Sequence, residues 1–308
     1  MINALFAAHD TRWDTYAAPL KAAFQAKGLE VDLRQDFPPE AVDYIVYAPN
    51  SPLQDFAPYT RCKAVLNLWA GVERIVGNPT LTQPLCRMVD PGLTRSMVEW
   101  VTGHVLRYHL DIDASIARQD RWQPFVPPLA EERPVTFLGL GELGQACAQA
   151  LTQLGFPVSG WARTPKDLPG VTCYHGPDGL EPALSAAEIV VLLLPDTKET
   201  ENILGARTLA ALPKGARILN PGRGPLIDDA ALLAALDTGQ VAHATLDVFR
   251  TEPLPAEHPY WAHPRVTVTP HIAAETRPIT ASRVIAENIH RGETDQPLLY
   301  LVDRLQGY

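Results

Sequence analysis

The stretch FLGLGELG at residues 137–144 sets glycines at 139, 141 and 144, the G-x-G-x-x-G spacing of a dinucleotide-binding turn. An apolar run, VTFLG (135–139), leads into it, and a helix-like run, LGQACAQALTQLG (143–155), comes after it. That is the strand–turn–helix order the turn requires. Gly139 permits the tight bend, Gly141 lets a pyrophosphate approach the backbone, and Gly144 lets the helix pack on the sheet. The helix N-terminus adds free N–H groups and the positive end of its dipole. The plainer reading is an ordinary glycine-rich strand–helix turn.

About two dozen residues further on, the next strand, PVSGW (157–161), ends at Trp161. An acid placed there would bind the adenosine ribose hydroxyls. The chain instead offers Arg163, Thr164 and Lys166, with no carboxylate before Asp167. A carboxylate repels a 2′-phosphate, whereas an arginine grips it through a charge-assisted fork. The expected cofactor is therefore NADP(H). The competing reading makes Arg163 a solvated loop residue.

Outward from the turn, EIVVLLLP (188–195), ARILN (216–220), HATLDVF (243–249) and RVTVTP (265–270) complete about six buried strands. Helical patterns alternate with them, such as DDAALLAALDTGQ (228–240), with Asp228 as N-cap and Gly239 as C-terminal glycine. This alternation predicts a parallel, doubly wound sheet. The first 90 residues repeat the style without the fingerprint, in INALFAA, EVDLR, DYIVYA and KAVLNLWA. They form a second α/β unit. A longer helix is predicted over 94–111, and a last one over about 278–291 could return the chain to the first unit.

The 308 residues suffice for two cores, and 46% hydrophobic against 20% charged residues describes a globular protein. A net charge of −9 without a basic block disfavours nucleic acid. No apolar run nears the roughly 20 residues of a membrane span, so no membrane partner is expected. The N-terminal MINALFAAHDTRWD lacks a basic signal-peptide region, and four cysteines lie far apart without a C-x-x-C pair. A cytoplasmic location is expected. Hydrolase and NTPase motifs are missing, and His258 and His263 sit among prolines without metal-ligand spacing, so no metal is expected.

Polar side chains stand after three of the strands: Arg223 after ARILN, Glu252 after LDVF, and His271 after VTVTP. Ligands of open parallel sheets bind at the carboxyl ends of the strands, so these residues converge on the cofactor. Arginine can bind a carboxylate bidentately, histidine can move a proton near neutral pH, and a neighbouring acid can orient it. Such a set suits hydride reduction of a 2-keto acid. Each residue also has a duller reading, as a structural histidine, a loop-capping arginine or a solvated acid.

The motifs GLGELG, LLLPDTKETENIL, ILNPGRG, LDTGQVAHATLDVFRTEPLP, HPRVTVTPHIAAETRP and the terminal VDRLQGY resemble the D-isomer-specific 2-hydroxyacid dehydrogenase family. The resemblance is closest to its glyoxylate/hydroxypyruvate reductase A group. It implies two doubly wound parallel-sheet domains, with a Rossmann nucleotide domain (94–278) inserted into a flavodoxin-like substrate domain (1–93 plus 279–308). It implies a cleft between them and a homodimer joined through the nucleotide domains. Arg223, Glu252 and His271 match the family's catalytic set. WAGVE at 69–73 matches its substrate loop, whose amides at Gly71 and Val72 would meet the substrate carboxylate together with Arg223. Cofactor contacts are implied at Gly139, Leu140, Gly141, Glu142, Leu143, Gly144, Trp161, Arg163, Thr164, Leu194, Pro195, Thr200, Pro221, Gly222 and Asp247.

The chain departs from the family's pattern at Pro221 and Gly222, where an apolar residue and then alanine or serine are frequent. It also departs at Trp69, Glu73 and Tyr47. The expected function is NADPH-dependent reduction of small 2-keto acids, glyoxylate to glycolate and hydroxypyruvate to glycerate, with His271 as general acid. The alternatives are a non-enzymatic NADP(H) sensor or corepressor, and a dehydrogenase of the same fold acting on another 2-hydroxy acid. A formate dehydrogenase relative would typically pair the histidine with glutamine, so Glu252 argues against that variant.

Overall fold

The computed structural model describes residues 1–304 and 307; Leu305, Gln306 and Tyr308, within the VDRLQGY motif, lie outside the described residues. The chain divides into two compact units, Met1–Leu93 with Glu275–Tyr308, and Thr94–Ala274. The return crossing thus falls at Glu275, four residues before the expected start at 279. The hydrogen bonds there explain the shift. Thr276 Oγ1 donates to Leu68 O at 2.9 Å, and Arg277 N donates to Asp90 Oδ2 at 3.1 Å, both partners in the first unit.

In the first unit, β1 (Ile2–Ala7), α1 (Trp13–Ala26), β2 (Val31–Arg34), β3 (Tyr44–Tyr47), β4 (Ala64–Asn67) and β5 (Leu85–Cys86) build an all-parallel sheet in the order β2-β1-β3-β4-β5. That is the flavodoxin-like order. Strands β3 and β4 are buried along their whole length, as a parallel sheet covered on both faces requires. Only β5 escapes the sequence pattern, because two residues show no periodicity.

The second unit begins along α2 (Pro91–His109) and α3 (Ile112–Ala117), then runs through β6 (Val135–Leu138), α4 (Glu142–Gln153), β7 (Val158–Ala162) and β8 (Val171–His175). It continues with α5 (Gly176–Leu184), β9 (Ile189–Leu192), α6 (Ala206–Ala210), β10 (Ala216–Asn220), α7 (Asp229–Asp237), β11 (Val241–Leu246) and β12 (Val266–Val268). The sheet order is β12-β11-β10-β9-β6-β7-β8, all parallel. Counted from β6 within the unit this is 3-2-1-4-5-6 with one further strand, the Rossmann order, and the strand order reverses between β6 and β9. Apolar side chains of α2 and α4, including Met97, Val101, Val105, Cys147 and Leu151, cover one face. Leu184, Leu209, Leu232 and Leu236 of α5 to α7 cover the other.

The sheet has seven strands where about six were expected. The additional one, β8, is an edge strand whose residues are all half-buried or exposed, so no continuous apolar run announces it. Helix α5 is hidden in the sequence by its two prolines and two glycines. The HATLDVF run stops being strand at Leu246, which leaves Asp247, Val248 and Phe249 to the next loop. Asp228 does cap α7, accepting from Ala231 N at 3.0 Å, and Gly239 adopts φ +74°. Finally α8 (Pro278–Glu293) returns to the first unit and packs on α1, its Ile285 and Ile289 sharing a core with Leu20 and Phe24.

Candidate active site

The glycine turn joins β6 to α4 at the point where the strand order of the second unit reverses. Gly139 has φ +110°, and a Cβ there would lie 2.5 Å from Leu193 O. A Cβ on Gly144 would lie 1.9 Å from Gly139 O. Both glycines are therefore demanded by the protein's own backbone. Gly141 is different: a Cβ there would meet nothing within 4 Å. It is exposed and occupies the N-cap of α4 without a side-chain cap. The first N–H groups of a helix have no partner within the helix, so a glycine that leaves this end open fits a phosphate ligand.

Leu140 is buried, and its side chain fills the space that a Cβ on Gly160 of β7 would enter. Glu142 is exposed and Leu143 half-buried on the first turn of α4. Strand β7 runs one residue past its expected end, to Ala162. Trp161 is consequently a core residue rather than the residue at the strand's end. It is 9% exposed, its Nε1 donates to Gly176 O at 2.7 Å, and its carbonyl accepts from Gly139 N at 2.9 Å. Its indole is thus committed to the protein interior, and its carbonyl braces the glycine turn.

Arg163 is the first residue past the strand and is exposed, as is Thr164. Nearby Glu199 has its carboxyl held below the ordinary range, first by its own backbone N–H, then by the Thr197 hydroxyl, with Arg163 and Lys198 adding to the effect. Leu194 is buried and Pro195 half-buried after β9. Thr200 is turned inward and shapes that loop, its hydroxyl donating to Pro195 O at 2.7 Å and accepting from Thr197 N at 2.9 Å.

After β10, the buried Asn220 amide folds the chain into a tight turn. Its Oδ1 accepts from Gly222 N at 3.1 Å, and its Nδ2 donates to Arg223 O at 2.9 Å. Pro221 and Gly222 are buried, and a Cβ on Gly222 would lie 2.7 Å from Leu192 O. Arg223 is half-buried, with Nη1 donating to Gly222 O at 2.7 Å.

Asp247, fully buried after β11, binds the loop that carries His271. Its Oδ1 accepts from Thr269 Oγ1 at 2.6 Å and Ile272 N at 2.9 Å, and its Oδ2 accepts from Ala273 N at 2.9 Å. His271 itself has φ +54°, and its N–H donates to Asp247 O at 2.9 Å. Left-handed backbone is uncommon outside glycine, and histidine is among the residues that tolerate it better. The ring emerges at the surface, where Nδ1 lies 2.8 Å from Glu252 Oε2. Glu252 Oε1 accepts Phe249 N at 2.9 Å, which fixes the carboxylate from its other side.

The register explains how distant sequence positions meet. Asn220, Leu246 and Val268 are cross-strand neighbours at the carboxyl ends of β10, β11 and β12. Leu138, Trp161 and Leu192 are neighbours in the same way on β6, β7 and β9. The glycine turn, Arg163, Leu194, Arg223, Glu252 and His271 therefore all leave the same edge of one sheet. Gly71 and Val72 belong to the first unit. There Asn67, which the sequence motifs do not single out, donates through Nδ2 to Trp69 O at 2.9 Å and Gly71 O at 3.0 Å. Asn67 has no distinguishing sequence pattern, because one amide closing a loop leaves no periodic trace. Among the described residues, no three His, Cys, Asp or Glu side chains cluster as a metal-binding set.

Residues 102–273 match the family model for the NAD-binding domain of D-isomer specific 2-hydroxyacid dehydrogenases. Glyoxylate/hydroxypyruvate reductase A of Yersinia enterocolitica is 39% identical over 279 residues, covering 87% of this chain and 88% of that one. Its counterpart in Serratia proteamaculans is 41% identical over 276 residues, covering 86% and 88%. Among solved structures, a D-isomer specific 2-hydroxyacid dehydrogenase from Xanthobacter autotrophicus Py2, in complex with NADPH and MES, aligns with TM-score 0.93 and 41% identity, covering 100% of this chain and 99% of that one. An NADPH-dependent glyoxylate/hydroxypyruvate reductase from Sinorhizobium meliloti, in complex with NADP and sulfate, aligns with TM-score 0.86 and 31% identity, covering both chains fully. The chain belongs to the D-isomer-specific 2-hydroxyacid dehydrogenase family.

Proposed function

We propose that this protein is an NADPH-dependent reductase of small 2-keto acids, taking glyoxylate to glycolate and hydroxypyruvate to glycerate. The observation that carries the reading is the 2.8 Å pair of His271 Nδ1 and Glu252 Oε2 at the carboxyl edge of a Rossmann sheet. With Nδ1 given to Glu252, Nε2 is the nitrogen left to protonate the substrate's keto oxygen. NADPH, when bound, supplies the hydride. The open N-cap at Gly141 and the first turn of α4 receive the pyrophosphate, and Arg163 with Thr164 receives the 2′-phosphate. Arg223 anchors the substrate carboxylate, and Glu252 orients the His271 ring through Nδ1. In the first unit, the backbone N–H groups of Gly71 and Val72 are proposed as further carboxylate donors.

We further infer a cytoplasmic homodimer. Leu110, Ile116, Trp122, Val126 and Leu129 expose large apolar surfaces on one stretch of the second unit, which an association between copies would cover. Light scattering on the purified protein tests the dimer. NADPH oxidation with glyoxylate, hydroxypyruvate and a panel of larger keto acids tests the activity. Turnover of no keto acid at saturating NADPH would remove the reading.

A further inference from the structure

Three loops leave the carboxyl ends of β9, β10 and β11, and one guanidinium from the third touches the other two. Arg250 Nη2 donates to Ile227 O at 2.7 Å and Pro225 O at 3.3 Å in the loop after β10, and to Asn202 Oδ1 in the loop after β9. Its Nη1 lies 3.5 Å from Glu201 Oε1, and its Nε lies 3.7 Å from Asp229 Oδ2. Arg250 itself belongs to the loop after β11, two residues before Glu252.

The loops it joins already touch through their backbones. Asn202 N donates to Pro225 O at 2.8 Å, and Leu204 N donates to Leu226 O at 3.0 Å. A Cβ on Gly224 would lie 2.0 Å from the carbonyl carbon of Phe249, so the segment just after Arg223 and the segment just before Glu252 are in direct contact. Asp229 is itself held by Tyr260 OH at 2.9 Å, which gives the clamp a fixed far end. Arginine suits this place because its donors spread in a planar fork, whereas lysine presents a single ammonium.

We propose that Arg250 is a positioning residue for the reduction: it clamps the loops after β9, β10 and β11 so that Glu252 is held against His271. This rests on the proposed keto-acid reductase activity. The Glu252 carboxylate is aimed by only the short span from Phe249, whose N–H it accepts. Without the guanidinium, that span loses its side-chain hydrogen bonds to the two neighbouring loops.

The test is a double-mutant cycle on the NADPH-loaded enzyme. Arg250→Ala should lower kcat/KM for glyoxylate about 10- to 100-fold, mainly through kcat, with NADPH affinity by fluorescence titration within about twofold. In a Glu252→Gln background the same change should cost about twofold or less, because the residue through which Arg250 acts is already disabled. Added guanidinium should restore part of the lost rate. Arg250→Lys serves where the alanine variant fails to fold, and should show a loss of the same kind. An unchanged kcat/KM, or an equal loss in both backgrounds, overturns the proposal. Hydrogen exchange reads the clamp without any substrate: amides of 247–253 should exchange faster in Arg250→Ala than in the unmodified protein. Unchanged exchange there also overturns it. If the unmodified protein reduces no keto acid while exchange still rises, the activity reading has failed and the clamp has not.

Discussion

Glu252 binds two partners at once: Oε2 stands 2.8 Å from His271 Nδ1, and Oε1 accepts the Phe249 N–H at 2.9 Å. The carboxylate is thus held between the backbone of its own loop and the imidazole. A pair built this way should act as a unit. His271→Ala should lower kcat/KM for glyoxylate roughly 10²–10⁴-fold, the usual worth of a general acid. Glu252→Gln should cost less alone, and almost nothing more once His271 is gone. Additive losses in the double variant would show that Glu252 works independently of the histidine.

Arg163 is proposed to take the 2′-phosphate, a group that a carboxylate in its place would select against. Hydrogen bonds from a charged group contribute on the order of 1.5–3 kcal/mol, or about 10- to 150-fold in affinity. NADPH should therefore exceed NADH in kcat/KM by that order, and Arg163→Ala should erode chiefly the NADPH figure. Steady-state kinetics with both cofactors decide it. An unmodified protein that uses both equally would remove Arg163 from the phosphate site.

The glycines of the turn divide by cause, and substitution separates them. A Cβ on Gly144 would stand 1.9 Å from Gly139 O, while one on Gly141 would meet nothing within 4 Å. Gly144→Ala should lower the melting temperature markedly or prevent folding, because backbone cannot yield as a flexible side chain can. Gly141→Ala should melt close to the unmodified protein yet bind NADPH at least about tenfold more weakly, if the close approach serves the pyrophosphate. Thermal melts and fluorescence titration check the two halves. Normal NADPH affinity in Gly141→Ala would mean that this glycine is not required by the ligand.

These residues are legible in the sequence because strand, turn and helix each leave a local pattern. Val135–Leu138, Ile189–Leu192 and Ala216–Asn220 are buried apolar runs, and counting past the end of each run locates the residues at the sheet's carboxyl edge. Edge strand Val171–His175 is hidden because none of its residues is fully buried, so no apolar run forms. At Trp161 a single residue's error in a strand end moves a core indole into the expected ribose site. Asn67, Asn220 and Arg250 make their contacts through individual side-chain hydrogen bonds, which leave no apolar periodicity in the sequence.

Acid should weaken the fold through His243 of β11. This ring lies between α2 and the sheet, with Nδ1 2.9 Å from Tyr108 OH. Burial pushes its pKa down to about 4, and the cations of Arg107, Arg217 and His104 add to that, with Asp113 opposing. In the unfolded chain the same ring titrates near its ordinary value of 6.5. Above about pH 6.5 both states hold it neutral, so its environment carries no penalty. As pH falls from about 6.5 towards 4, the unfolded state takes up a proton that the folded state refuses, and stability drops. Below about 4 both states are protonated and the loss levels off. His104 and His109 are also lowered, each first by burial, and act with the same sign. For His243 the full loss is about 2–3 kcal/mol after allowance for its partial exposure. Urea unfolding at pH 7.5 and pH 5 should show a lower midpoint in acid for the unmodified protein. His243→Gln, which keeps a hydrogen-bonding group beside Tyr108 without a titrating ring, should lose less stability between the two pH values. An identical drop in both proteins would place the acid sensitivity elsewhere.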